Sequence, residues 1–274
     1  MNKMQKSLPD FVVVGAMKSG STSLLNALGD HPEVFMPKKE VHFFNKYHHL
    51  GPEWYIQKFT SSSKSHKVIG EKTPTYSYLP EIPERMHALI PQAKLIWILR
   101  EPVARAYSNY WHAAWRGKED LTFEAAVECE HIRIKQDVYK GYLARSRYAD
   151  QIENYLKFYS IDRMKFVLLD DLVKDPQGTL KDVLTFLDID ASTTHWRSMN
   201  IGNKTNYTPR NLTLHAKART WITNDYFFRF FTVFNRKVGV PKIDKSLHQD
   251  LKRLYVEDNK RLETLIKRDL SSWN

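Results

Sequence analysis

Residues 11–23, Phe11-Val-Val-Val-Gly-Ala-Met-Lys-Ser-Gly-Ser-Thr-Ser23, constrain this chain more than any other stretch. An apolar, β-branched run enters a turn of glycine and hydroxyl residues, and a helical pattern opens at Leu24 and Leu25. Strand, tight loop and helix start make an anion cradle, because unpaired backbone N–H groups and the helix dipole both favour phosphate. The spacing comes close to the nucleoside-triphosphate loop, with Gly15, four residues, Gly20, then Ser21 and Thr22. Ser21 stands where that loop carries its lysine, and the lysine lies earlier, as Lys18. This displacement points to a phosphoanhydride donor other than ATP or GTP. Ser19, Gly20, Ser21, Thr22 and Ser23 complete the candidate cradle. An ordinary strand-to-helix turn is the plainer alternative.

A length of 274 residues suffices for one α/β domain with a sizeable core. The excess of 42 Lys and Arg over 31 Asp and Glu, a net charge of +11, suits an anionic partner without choosing among nucleotide, acidic acceptor and nucleic acid. Cys129 is the only cysteine, which excludes an intrachain disulfide and a cysteine-rich zinc site. Met1–Asp10 is polar, and no run approaches the ~20 apolar residues of a membrane span. The chain therefore reads as soluble and cytoplasmic, with no transmembrane segment.

Further apolar runs occupy Lys94–Leu99, Lys165–Leu169 and the shorter Lys67–Gly70. Helical patterns follow through Trp115, near Leu180–Leu187, across Tyr148–Tyr159 and over Leu251–Leu270. Pro102 suits a first helical turn, where its missing N–H costs nothing. Alternating strands and helices predict an α/β chain with a P-loop-like three-layer fold, a central mostly parallel sheet flanked by helices, as a single domain over residues 1–274. Ligands of such sheets bind beyond the carboxyl ends of the strands, where Lys18, Lys72 and Arg100 all fall. Ser61–Ser65 reads as a surface loop. The aromatic and basic stretch Thr220–Phe234 is open to several readings: a lid, an acceptor wall, a partner surface or, most simply, a core-packing helix.

Two further constellations carry chemistry. In Pro37-Lys-Lys-Glu-Val-His-Phe-Phe-Asn45, alternation places Glu40 and His42 on one side and Val41 and Phe43 on the other. A carboxylate among aromatic residues and lysines suits a general base, since its surroundings tune its pKa. A solvated Lys39–Glu40 pair beside a structural His42 is the alternative. Arg100 and Ser108, eight residues apart across a strand end and two helical turns, suit an isolated phosphate monoester. A capping arginine with a packed serine is the plainer reading there.

Taken together these motifs are recognisable. Lys18-Ser-Gly-Ser-Thr-Ser23 resembles the 5′-phosphosulfate loop of sulfotransferases that use 3′-phosphoadenosine 5′-phosphosulfate (PAPS). Leu99-Arg-Glu-Pro-Val-Ala-Arg-Ala-Tyr-Ser-Asn-Tyr110 resembles their 3′-phosphate motif at both Arg100 and Ser108. Lys39-Glu-Val-His-Phe-Phe44 and Glu71-Lys-Thr-Pro-Thr-Tyr76 are similar to segments of the heparan sulfate (glycan) branch. Ser146-Arg-Tyr148 and Leu262–Trp273 resemble later landmarks, so the likeness spans essentially the whole chain, in order.

The resemblance implies in-line sulfuryl transfer from PAPS to a hydroxyl or amine acceptor, a small molecule or a saccharide, with 3′-phosphoadenosine 5′-phosphate (PAP) leaving and no metal. It implies Lys18 at the bridging oxygen, Lys72 at the sulfonate, Glu40 as base and His42 positioning it. Ser19, Gly20, Ser21, Thr22 and Ser23 would hold the 5′-phosphate, and Arg100, Ser108 and Tyr148 the 3′-phosphate. The family's late Lys-Gly-Arg loop is not visible; Asn203–Arg210 takes its place, with Lys204 or Arg210 near the nucleotide. Pro74 stands where the small-molecule branch keeps its basic histidine, which moves the base to Glu40, and Asn45 stands where the glycan branch often has aspartate. Two other classes compete. A P-loop kinase or NTPase requires the lysine after Gly20 that is missing here. A non-catalytic nucleotide- or polyanion-binding protein would be favoured by loss of Lys18, Glu40 or Lys72, all of which are present. No dedicated nucleic-acid motif accompanies the charge.

Overall fold

Four apolar runs of the sequence become parallel strands of one sheet. The computed structural model describes residues 8–63, 65–193 and 207–274. In chain order its first elements are β1 (Phe11–Gly15), α1 (Ser21–Gly29), β2 (Val34–Phe35), α2 (Gly51–Ile56), β3 (Val68–Lys72), α3 (Ile82–Leu89) and β4 (Lys94–Leu99). There follow α4 (Pro102–Trp115), α5 (Phe123–Glu128), α6 (Glu130–Gln136), α7 (Tyr148–Leu156), β5 (Met164–Leu168), α8 (Leu169–Lys174) and α9 (Pro176–Phe186). The last are β6 (Tyr207–Pro209), α10 (Leu212–Trp221), α11 (Asp225–Phe234), β7 (Arg236–Val238), α12 (Lys245–Arg253) and α13 (Val256–Ile266). They group into two compact units, Met1–Arg100 with Ala149–Gly202, and Glu101–Tyr148 with Asn203–Asn274.

In the first unit the strand order is β2-β3-β1-β4-β5, all parallel. β1 is buried at every position, which explains its unbroken Val run: a central parallel strand is covered on both faces. One face packs Phe11, Val13, Ile96, Ile98 and Val167 against leucines of α1, α8 and α9. On the other, Trp97 meets Tyr155 of α7 edge to face at 5.1 Å, and the Tyr155 hydroxyl donates to the Tyr76 carbonyl at 3.1 Å. These layers form the predicted P-loop-like α/β fold. Phe11 pairs with Gly70 across the sheet, and a Cβ on Gly70 would run into the Phe11 ring. β2 has only two residues and carries no readable period.

The second unit has its own core of Val103, Ala106, Tyr110, Phe123, Ala126, Tyr142, Leu251 and Tyr255. Pro102 opens α4 as expected, and the Glu101 carboxylate accepts from the Val103 and Ala104 N–H groups at 3.0 and 2.6 Å. β6 and β7 pair antiparallel. The expected helix over Leu251–Leu270 is instead two, α12 and α13. The break lets Tyr255 be buried and donate to the Leu143 carbonyl at 2.8 Å, a tertiary gain that no local glycine or proline announces. Thr220–Phe234 is not a core-packing helix either. Within it Phe228 and Thr232 are buried, while Trp221, Tyr226, Phe227, Phe230 and Phe234 are exposed. Ser61, Ser63 and Ser65 are exposed, as a surface loop requires. Among the described residues no helix is long and apolar enough to cross a membrane.

Candidate active site

Three neighbouring strands bring the loop cations to one sheet edge. β3, β1 and β4 are adjacent and parallel, with Val13 opposite Lys72 and Gly15 opposite Trp97. Lys72 ends β3, Lys18 lies in the loop after β1, and Arg100 follows β4 directly. The connections leaving β1 and β4 lead to β2 and β5 at opposite edges of the sheet, a switch point that opens a crevice for ligand. The Arg100 guanidinium donates to the Lys18 carbonyl at 3.3 Å and so ties the two loops together.

The loop geometry suits an anion. Lys18 and Gly20 take positive φ, 71° and 80°, which turns the backbone sharply between strand and helix. Gly20 is the N-cap of α1 and brings no capping side chain, leaving the first helical N–H groups to other partners. A Cβ there would meet Leu169 Cδ1 at 2.5 Å, in a conformation that already favours glycine. Ser19 is fully buried and its Oγ has no hydrogen-bond partner among the described residues. An orphaned hydroxyl beside a helix N-terminus is a group awaiting an acceptor, so the cradle fits a phosphate or sulfate. Ser21 opens α1, with Thr22 and Ser23 in its first turn.

Glu40 and His42 meet, Oε2 to Nε2, at 3.0 Å. The pairing expected from alternation is present, but His42 is not extended. It takes left-handed φ, 56°, and a π-turn helix over Phe43–Tyr47 starts from it, with the Lys46 N–H donating to the His42 carbonyl at 2.9 Å. Val41 and Phe43 are buried, whereas the Glu40 side chain is 43% exposed and within reach of solvent or ligand. The hydrogen bond from His42 outweighs partial burial and, with the charges of Lys72 and Lys46, holds the Glu40 carboxyl below its ordinary range. Glu40 is therefore a carboxylate at neutral pH, the form a base needs. The His42 Nδ1 and the Asn45 Oδ1 are buried without partners among the described residues, two further polar atoms open to a ligand.

Beneath this pair lies a network that sequence reasoning missed. The His42 N–H donates to Thr73 Oγ1 at 3.2 Å, and Thr73 Oγ1 lies 3.2 Å from Glu71 Oε2. Tyr55 donates to the other Glu71 oxygen at 2.6 Å, and Tyr76, whose hydroxyl accepts from the Phe44 N–H at 3.2 Å, also bonds Glu71. Glu71 and Thr73 flank Lys72, so one short segment holds both the lysine and the backbone of the His42 turn. The signal for it is the Glu71-Lys-Thr segment itself, which sequence alone offers only for its lysine.

Complete burial pushes the Glu71 carboxyl from 4.5 up to about 7, against its three hydroxyl partners. The unfolded chain then loses this proton first as pH rises, and folding stability falls between about pH 4.5 and 7 by about 3 kcal/mol. Glu71→Gln removes that titration. Urea midpoints of the variant should drop less from pH 5 to pH 7 than those of the wild type; identical pH profiles would refute the assignment.

The other expected site residues lie in the second unit or outside the described residues. Ser108 is on α4, partly exposed, and Tyr148 is fully buried with its ring 6.2 Å from Trp273. Ser146, close to Tyr148 in sequence, is a packing partner: its hydroxyl accepts from the buried Arg105 Nε at 2.5 Å and donates to the Pro102 carbonyl at 2.9 Å. Arg210 is exposed and its Nε donates to the Arg236 carbonyl at 2.8 Å. Lys204 falls outside the described residues.

A profile of the sulfotransferase domain matches residues 8–258. The chain belongs to the sulfotransferase family. Heparan sulfate glucosamine 3-O-sulfotransferase 3B1 of Mus musculus is 32% identical over 184 residues, which are 67% of this chain and 47% of the relative. Heparan sulfate glucosamine 3-O-sulfotransferase 5 of Homo sapiens is 27% identical over 285 residues, 99% of this chain and 76% of the relative. The solved sulfotransferase from Alicyclobacillus acidocaldarius superposes with a TM-score of 0.76 at 25% identity, covering 97% of this chain and 98% of that one. This sulfotransferase chain spans about half the length of the first of these curated relatives. Family membership sets aside the kinase or NTPase reading, whose lysine after Gly20 this chain lacks.

Proposed function

We propose that this sulfotransferase moves a sulfuryl group from PAPS to a hydroxyl or amine of a saccharide acceptor, with PAP as the other product. The observation that carries the reading is the placement of Lys18, Lys72 and Arg100 at the carboxyl ends of three adjacent strands, with the Glu40–His42 pair beside Lys72. PAPS, when bound, supplies a sulfuryl group activated on a phosphate. The α1 N-terminus and Ser19 to Ser23 would hold the 5′-phosphate, with the Ser19 hydroxyl, partnerless among the described residues, available as a donor. Lys18 would stabilise the charge left on the departing nucleotide, and Lys72 would neutralise the sulfonate. Fixed cations of this kind lower the barrier without reorganising in the step. Glu40 would take the proton of the acceptor group, and His42 keeps that carboxylate ionised and aimed. Arg100, directly after β4, serves the 3′-phosphate, and residues 1–274 act as one sulfotransferase domain.

The acceptor class rests on the heparan sulfate relatives and on the +11 charge, which suits an acidic chain. The test is incubation with PAPS and N-sulfated heparan oligosaccharides, followed by mass spectrometry of the sugar and chromatography of the nucleotide. Each oligosaccharide should gain sulfonate as PAP accumulates one for one. Intact PAPS with every saccharide, and turnover with a small alcohol or phenol instead, would overturn the acceptor class.

A further inference from the structure

Helix α11 is apolar around most of its circumference, the pattern of a helix enclosed by neighbours, yet only one stripe of it is covered. On that stripe Phe228 and Thr232 are buried. The fully buried His215 stacks on Trp115 at 5.7 Å and meets Phe228 and Phe231 at 5.0 and 6.0 Å. Asn235 and Asn211 exchange hydrogen bonds of 2.9 and 3.0 Å, and Arg219 pairs with Asp225 at 2.7 Å. The helix is thus firmly seated. Its outer arc, roughly 120° wide at 3.6 residues per turn, presents Tyr226, Phe227, Phe230 and Phe234, which are 77, 62, 65 and 66% exposed. Trp221 at the end of α10 adds a ring that is 87% exposed.

The segment that carries this arc is basic. Residues 207–245 hold eight lysines and arginines against two aspartates. Both acids are engaged, Asp225 by Arg219 and Asp244 by the Leu247 N–H at 3.0 Å. Lys217, Arg229, Lys237, Lys242 and Lys245 are exposed. Contiguous exposed aromatics of this extent mark an interaction surface. A twofold dimer through it would set the cations of one copy against those of the other. A polysaccharide matches the cations and can stack its C–H faces on single rings, whereas an aromatic arc running along a whole helix suits a continuous apolar phase.

We propose that this face docks the protein on an anionic bilayer surface. α11 lies in the interfacial plane with its aromatic arc at the headgroup–acyl boundary, and the flanking lysines and arginines meet lipid phosphates and carboxylates. Aromatic rings favour that depth, and basic residues within a Debye length of acidic lipid add to the attraction.

The test is flotation of the full chain with phosphatidylserine-containing and pure phosphatidylcholine vesicles, without donor or acceptor, so it stands apart from the proposed reaction. The wild type should float with the anionic vesicles and less with the neutral ones. The Phe230→Ser/Phe234→Ser double variant should lose about tenfold or more in partitioning, with an unchanged thermal midpoint because both rings are exposed. Lys237→Glu/Lys242→Glu should weaken binding to the anionic vesicles alone. Absence of binding, or equal binding by the wild type and the aromatic variant, would overturn the proposal. So would self-association of the wild type in sedimentation equilibrium, abolished by the aromatic variant, with neither protein bound to vesicles.

Discussion

Glu40→Gln is expected to lower kcat for sulfuryl transfer by about 10²- to 10⁴-fold, the usual contribution of a positioned base, while PAP affinity stays within about twofold. The amide keeps the shape and still accepts from His42 but does not take a proton. Its side chain is 43% exposed and the amide keeps the hydrogen bond from His42, so only the ionic part of that pair is lost and the thermal midpoint should shift little. A loss of rate therefore reports chemistry and not unfolding. The donor cradle proposed above, the β1–α1 loop with Arg100, does not include Glu40, which is why binding and turnover should separate. Single-turnover rates alongside calorimetric PAP affinities make the check. Full turnover in the variant would remove Glu40 from the role of base.

Lys72→Met should cost about 10²- to 10³-fold in kcat, the range seen when one preorganised electrostatic donor is removed. This substitution has a second, independent signature. After the His42 hydrogen bond, the charge of Lys72 is among the influences that hold Glu40 below its ordinary pKa. Without that charge the Glu40 carboxyl titrates at higher pH, and the acid limb of the kcat/KM profile moves up with it. Lys72→Arg should restore the position of the limb more fully than the rate, since charge returns but the ammonium geometry does not. A rate loss with an unmoved acid limb would mean that Lys72 and Glu40 do not share a site.

Strands were legible where burial is continuous. Lys94–Leu99 is a strand over the bounds its apolar run implies, because a strand covered on both faces has no polar position to blur its ends. Arg100 and Lys18 were legible because a parallel sheet gathers the loops leaving its strands at one edge. Glu71 was not, since only the fold shows that Tyr55, sixteen residues away, and Tyr76 close over it. Arg105 illustrates the opposite hazard: in sequence it is another arginine of the phosphate motif, yet in the structure it is fully buried and bonded to Ser146, Asn109 and the Tyr142 carbonyl. The exposure of α11 was not legible because aromatic content suggests enclosure. Composition cannot say which arc of a helix finds a neighbour.

The most direct test of the central claim is calorimetric titration with PAP, ATP and 5′-AMP, repeated on Arg100→Ala. Tight PAP binding that depends on the 3′-phosphate is expected, with far weaker binding of ATP and 5′-AMP and loss of the PAP preference in the variant. Equal affinity for PAP and ATP in the wild type would contradict it.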